Sequence, residues 1–257
     1  MRRVGVIGAT GAMGALAASA IGRADDLELT ALVDPHEGDV VAGAVWATSI
    51  DALDPAVVDV VVDFTRVDVA RRTLAWVADH HKDAVVGTSG LTDADLAAAA
   101  KAGAGSRLLI VPNFSVGAVL LQRFAAEAAA HFESAEVVEL HHDRKRDAPS
   151  GTSLATSAAI AASRAAAGRG EVHDRTELET VAGARGASGP GGVRVHSVRL
   201  PGLVAHQEVL LGSPGEGLTL RHDVYDRASY MAGLLLALRR LDRVEGLRVG
   251  LECVLDP

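Results

Sequence analysis

The sequence predicts an α/β chain: a doubly wound parallel-sheet domain and a central α+β domain whose sheet is mixed or antiparallel. Three observations carry that reading. Over the first part of the chain, short β-branched runs alternate with amphipathic, alanine-rich stretches, which is the rhythm of βαβ units. Runs such as VVDVVVDF (57–64) are nearly continuous in apolar residues, as a strand covered on both faces requires. After Phe114 the rhythm changes to longer helical stretches, followed by runs in which apolar and polar residues alternate between Gly and Pro.

In order, the expected strands of the first part are Val4–Ile7, Leu29–Val33, Val57–Asp63, Ala84–Val86 and Leu108–Val111. Helices are expected over Met13–Arg23, Val67–His80 and Asp93–Ala102. A long helix follows over Val116–His131, then a strand over Val137–His142. The next helix, Thr152–Ala167, ends at Gly168, a residue suited to the left-handed turn that closes a helix. Val193–Leu200, His206–Leu211 and Leu218–His222 read as strands with one wetter face. Between them and the helix, GARGASGPGG (183–192) reads as a flexible loop. Tyr230–Leu241 reads as a helix and Leu247–Leu251 as a last strand that returns to the first domain.

Composition narrows the function classes. The 257 residues are 49% hydrophobic, ample for a buried core, and carry a formal net charge of -8. That balance disfavours a nucleic-acid partner, which needs a basic face. A single cysteine, Cys253, permits no internal disulfide, so the cytoplasm is the expected compartment. Gly5, Gly8, Gly11 and Gly14 break the apolar run behind Arg2 and Arg3, so no secretory leader is expected, and no run is long enough to span a bilayer.

Two segments carry chemistry. In VGVIGATGAMG (4–14), Gly8, Gly11 and Gly14 follow a strand and open a helix, where glycines let backbone approach a pyrophosphate and free N–H groups attract it. Asp34 closes the next strand about twenty residues on, placed to accept from a ribose diol, which favours NADH over NADPH. Asp63-Phe64-Thr65, Gly87-Thr88-Ser89-Gly90 and Pro112-Asn113-Phe114-Ser115 stand at later strand ends. Each alone suits an ordinary turn; three together suit a ligand crevice.

The second segment, ELHHDRKRDAPSGT (139–152), packs two histidines and three cations between a strand and a helix start. Ser150 or Thr152 can cap that helix while Gly151 exposes amides to an anion such as a carboxylate. A strand-end histidine and a lysine four residues on add proton donors. Because His141 and His142 alternate across a strand, only one faces the site if the strand stays regular. The pair lacks a Cys partner or H-x-x-x-H spacing, so no metal centre is expected.

These segments, with VVDFT, VVGTSG, PNFSVGA, LPGLVAHQEVLLG and LTLRHD, resemble the 4-hydroxy-tetrahydrodipicolinate reductases of lysine and diaminopimelate biosynthesis, also called dihydrodipicolinate reductases. The resemblance runs through the whole chain, and the 139–152 block is its most specific part. It implies a Rossmann-like dinucleotide domain from residues 1–115 and 228–257, a substrate and oligomerisation domain over 116–227, and a homotetramer joined through the second domain's sheets. It also implies hydride transfer from NADH or NADPH to a cyclic, unsaturated dicarboxylate with loss of water.

By the same resemblance, His141 and Lys145 handle protons, and His142, Ser150, Gly151 and Thr152 bind substrate. The dinucleotide contacts are Gly8, Ala9, Thr10, Gly11, Ala12 and Met13, then Asp34, then Gly87, Thr88 and Ser89, then Val111, Pro112, Asn113 and Phe114. Three positions depart from the family pattern. Ala12 stands where many relatives carry a cation, Arg144 where a third histidine is common, and Ser89 where threonine is usual. The competing readings are another NAD(P)-dependent imino-acid or amino-acid dehydrogenase, and a non-catalytic dinucleotide sensor, which has no need of His141 and Lys145 beside an anion clamp.

Overall fold

The computed structural model describes residues 1–38, 41 and 43–256. In chain order the first elements are β1 (Arg2–Ile7), α1 (Ala12–Gly22), β2 (Leu27–Val33), β3 (Val45–Ala47), β4 (Val60–Asp63), α2 (Val67–Asp79), β5 (Asp83–Val86), α3 (Asp93–Ala102) and β6 (Leu108–Ile110). Next come α4 (Val116–Ala129), β7 (Ser134–His141), α5 (Gly151–Ala166), β8 (Ala187–Ser188), β9 (Arg194–Arg199), β10 (Ala205–Ser213) and β11 (Glu216–Val224). The chain closes with α6 (Tyr230–Arg239) and β12 (Leu247–Val249). Two compact units result: Met1–Ser115 with the chain from Arg227 onward, and Val116–Asp226.

The first unit holds a seven-stranded sheet in the order β12-β6-β5-β4-β1-β2-β3, every pair parallel. It is a Rossmann-like sheet: the chain moves outward from β1 through β2 to β3, then restarts on the other side of β1 at β4. Ligands of such sheets bind outside the carboxyl ends of the strands, where this order reverses. The apolar runs are buried as their composition demands, with Val4, Val6, Val60, Val61, Val62, Ala84, Val85 and Val86 all fully covered. Each such valine adds about 1.5–3 kcal/mol relative to an exposed one. The α2 stripe Ala70, Leu74 and Val77 packs into this core, and α3 starts at a capping box in which Thr92 and Asp95 satisfy each other's amides.

The second unit is a five-stranded mixed sheet, β11-β10-β7-β9-β8, with β7 and β9 parallel and the other pairs antiparallel. Leu121, Ala125 and Ala129 of α4 and Ile160 of α5 pack on Ala135, Val137, Val195, Val209 and Leu211 of the sheet. Strand β7 alternates strictly, so Glu139 continues the inward row of Ala135 and Val137 and is fully buried.

Several boundaries differ from the sequence expectation for local reasons. The strand expected from Val57 starts at Val60, because Asp54 caps a 3-10 turn over Pro55–Val57. The segment expected to be a flexible loop, 183–192, contains β8, paired antiparallel with β9, and a 3-10 turn at Pro190–Gly192. Gly191 lies so close to α5 that an added Cβ would stand 2.5 Å from the Ala161 methyl. Strand β3 was not anticipated; three residues in a glycine-flanked stretch show no period. Strand β12 stops at Val249 because Gly250 turns with φ +100.

Candidate functional site

In the first unit the glycine turn follows β1. Gly8 has φ +80, and an added Cβ would lie 2.7 Å from the Phe64 carbonyl oxygen. Gly14 is demanded by packing, since its Cβ would stand 1.9 Å from the Gly8 carbonyl oxygen. Between them Thr10, Gly11 and Ala12 are exposed, Met13 is half-buried and Ala9 is buried. Gly11 caps α1 with extended backbone; no side chain caps that helix and no carboxylate stands in its first turn. The positive end of α1 is thus available to an anion.

Asp34, at the end of β2, is nearly buried and accepts from the Thr10 amide at 3.2 Å and the His36 amide at 3.1 Å. Burial opposes its ionisation, but these bonds outweigh burial and hold the carboxyl below its ordinary value. A carboxylate offers about four acceptor positions, so capacity for a diol remains.

The later strand ends are laced together by Asp63, a residue that sequence reasoning placed at a strand end in the expected crevice without giving it a role of its own. Fully buried, it accepts from the hydroxyls of Thr65 (2.6 Å), Thr73 (2.6 Å) and Thr88 (2.7 Å) and from the Thr65 amide (2.9 Å). The Thr88 hydroxyl is therefore spent on structure, while Ser89 is exposed. Phe64 and Phe114 lie with ring centroids 5.3 Å apart, and an added Cβ at Gly87 would strike both. Val111 is buried and Pro112 exposed, and the Asn113 side chain accepts from the Ser115 amide.

In the second unit, β7 delivers His141 at its last position and α5 starts at Gly151. The Nδ1 of His141 is bonded to Glu139, two residues back on the same face of the strand, which leaves Nε2 as the ring's other polar atom. The Arg199 guanidinium meets Glu139 with two bonds of 2.8 and 2.9 Å, and the Ser150 amide adds a third donor at 3.2 Å. Burial alone would raise the Glu139 carboxyl; bonds from His141, Arg199 and Ser197 outweigh it and bring it down to about 2.

The chain turns at His142, whose carbonyl accepts from the Lys145 amide at 3.2 Å. The Lys145 ammonium donates to both oxygens of Asp147, at 2.9 and 2.8 Å. Arg144 and Arg146 are exposed. The Nδ1 of His142 is covered and has no protein partner among the described residues. Ser150 is buried and its hydroxyl accepts from the Ser153 amide, so it serves as the helix cap. A Cβ on exposed Gly151 would meet nothing within 4 Å, so the space in front of Gly151 is open.

Sequence reasoning included Glu139 in this segment but gave it no role, and it missed Arg199. For Glu139 a signal was present, a carboxylate on the apolar face of a strand two residues before a histidine. For Arg199, sixty residues from Glu139, there was none. Among the described residues no helix is long and apolar enough to cross a membrane.

Comparison with known proteins gives one consistent family. Family profiles described as dihydrodipicolinate reductase, N-terminus and C-terminus, match residues 2–114 and 117–255. The 4-hydroxy-tetrahydrodipicolinate reductase of Nocardia farcinica is 48% identical over 257 residues, covering 99% of this chain and 98% of that protein. That of Beutenbergia cavernae is 49% identical with the same coverage. Among solved structures, a dipicolinate-bound dihydrodipicolinate reductase from Paenisporosarcina sp. TG-14 superposes with a TM-score of 0.90 at 34% identity, covering 99% of this chain and all of that one. A dehydrogenase from Thermus thermophilus solved with NAD, at 16% identity and TM-score 0.59, shares the fold.

Proposed function

The chain belongs to the dihydrodipicolinate reductase family, and from that premise we propose that it reduces 4-hydroxy-tetrahydrodipicolinate to tetrahydrodipicolinate with NAD(P)H, releasing water. The first unit suits a nicotinamide dinucleotide on its own geometry: an α1 start with no side-chain cap, no carboxylate in its first turn and glycines where side chains would obstruct. Gly8 to Met13 cradle the pyrophosphate and Asp34 accepts from the ribose. The loops at Gly87–Ser89 and Val111–Phe114 flank the nicotinamide, chiefly through backbone, since Thr88, Val111 and Phe114 bury their side chains. When bound, the dinucleotide supplies a hydride.

The second unit supplies protons and holds the substrate. His141, fixed through Nδ1, exchanges a proton at Nε2. Lys145 donates from its ammonium. The open α5 start at Gly151 and Thr152 receives a carboxylate, with His142 beside it. Ser150 contributes by shaping that start, its hydroxyl being occupied by the cap. The observation that carries this reading is the juxtaposition of a pinned imidazole with an open helix N-terminus on one short segment.

NADH is the preferred donor, because Asp34 would repel a 2'-phosphate and Ala12 offers no cation to offset it. The protein acts in the cytoplasm as a homotetramer, joined through the outer face of the second sheet, where Leu210 is exposed. Purified protein given 4-hydroxy-tetrahydrodipicolinate should oxidise NADH, and NADPH more slowly at matched concentrations. Failure to oxidise either overturns the activity; faster use of NADPH overturns the preference alone. Sedimentation at micromolar concentration tests the tetramer.

A further inference from the structure

The two proton-handling groups and the anion clamp lie on one segment, yet what holds them in register is a residue on the strand before them. Glu139 is fully buried, and its carboxylate is reached from three directions. His141 Nδ1 meets Oε2, the Ser150 amide meets Oε1 at the mouth of α5, and Arg199 meets both oxygens. Arg199 extends the network, since its Nη2 also donates 2.7 Å to the Asp147 carbonyl. Asp147 in turn holds the Lys145 ammonium. One continuous path therefore runs from His141 through Glu139, Arg199 and Asp147 to Lys145, with a branch to the helix start.

We propose that Glu139, with Arg199 as its arm, is the positioning residue that fixes the His141 ring, the Lys145 turn and the α5 start at one set spacing. The inference rests on the proton role of His141 given above. A buried carboxylate so used has a definite chemical effect beyond packing. As an acceptor only, it forces the proton of the neutral imidazole onto Nδ1 and leaves the Nε2 lone pair free. Removing its charge also strands the Arg199 guanidinium, so the Asp147 turn loses its anchor. A purely structural glutamate would affect stability without this selective effect on the ring.

The experiment compares Glu139→Gln, His141→Gln and the double variant by steady-state kinetics, with dipicolinate and NADH binding measured by calorimetry. His141→Gln should lower kcat about 10²–10⁴-fold. Glu139→Gln should lower kcat about 10²-fold and weaken dipicolinate binding about tenfold, leaving the NADH Kd within about twofold. The double variant should lose less than the product of the two single losses, because only the part of the Glu139 effect that runs through the Lys145 turn and the α5 start remains without His141. If the two losses multiply, Glu139 does not act through His141 and the inference fails while the role of His141 stands. If His141→Gln is as fast as the unaltered enzyme, both fall together. Glu139→Asp, which keeps the charge but withdraws it, should recover part of kcat. Nitrogen-15 NMR of the unaltered protein, which needs no variant to fold, should find the neutral His141 ring protonated at Nδ1; protonation at Nε2 overturns the inference.

Discussion

The proposed ligand surfaces of the two units are built by opposite means. In the first, the surface is backbone: Gly8 and Gly14 matter because side chains there would strike the Phe64 and Gly8 carbonyls, and helix α1 presents amides rather than side chains. In the second, the surface is side chains hung on a buried carboxylate, with His141, Arg199 and the Ser150 amide converging on Glu139. A backbone site recognises a shape and a charge, and substitutions there disturb packing. A side-chain site can set where a proton sits, and substitution of its partly exposed members removes chemistry while sparing the fold.

The largest expected effect tests that division directly. Lys145→Ala should reduce kcat about 10²–10⁴-fold while the NADH Kd and Tm stay near those of the unaltered protein; equal loss of turnover and dinucleotide binding would make Lys145 a structural residue. Next, Gly14→Ala should destabilise by about 1–3 kcal/mol and weaken NADH binding, because the new methyl meets a backbone oxygen that no side-chain rotation can move. Denaturant unfolding read beside NADH titration checks it, and an unperturbed Gly14→Ala would mean that the turn yields easily.

A pH experiment probes the other unit. Glu139 is depressed to about 2 from an ordinary glutamate value of 4.5. Its contribution to stability is therefore full above about pH 4.5 and lost as pH falls through about 2. Urea midpoints between about pH 5 and pH 3 should fall, and the fall should shrink in Glu139→Gln. An equal slope in both proteins would assign the acid sensitivity to other groups, with Asp174, also near 2, the next to test. The smallest effect concerns cofactor choice: Ala12→Lys should shift the NADH-to-NADPH ratio of kcat/KM toward NADPH by about five- to tenfold, since a single exposed charge is worth about 1 kcal/mol.

The sequence foretold the two units unequally for the same physical reason. The parallel sheet, α1 and the glycine turn follow from local patterns, because hydrophobic period and glycine stereochemistry act over a few residues. The 139–152 block was legible as a segment that runs from a strand end to a helix start, and β7 ends at His141 and α5 starts at Gly151. Its organisation was not. Arg199 reaches Glu139 only because β9 pairs in parallel with β7, setting Glu139 opposite Ser197 and His141 opposite Arg199. That register is a tertiary fact. Strands β3 and β8 escaped notice because two or three residues give no period, and the Thr88 hydroxyl could be assigned to Asp63 only once β4 and β5 were seen side by side.

The short bridge from Lys145 to Asp147 has a consequence for affinity. Lys145 already holds Asp147, so an anion that paired with Lys145 would share its ammonium with a carboxylate tethered two residues away. The gain in binding would then be smaller than that of a first contact to an unpaired ammonium. Asp147 would thus be a tethered competitor for that anion.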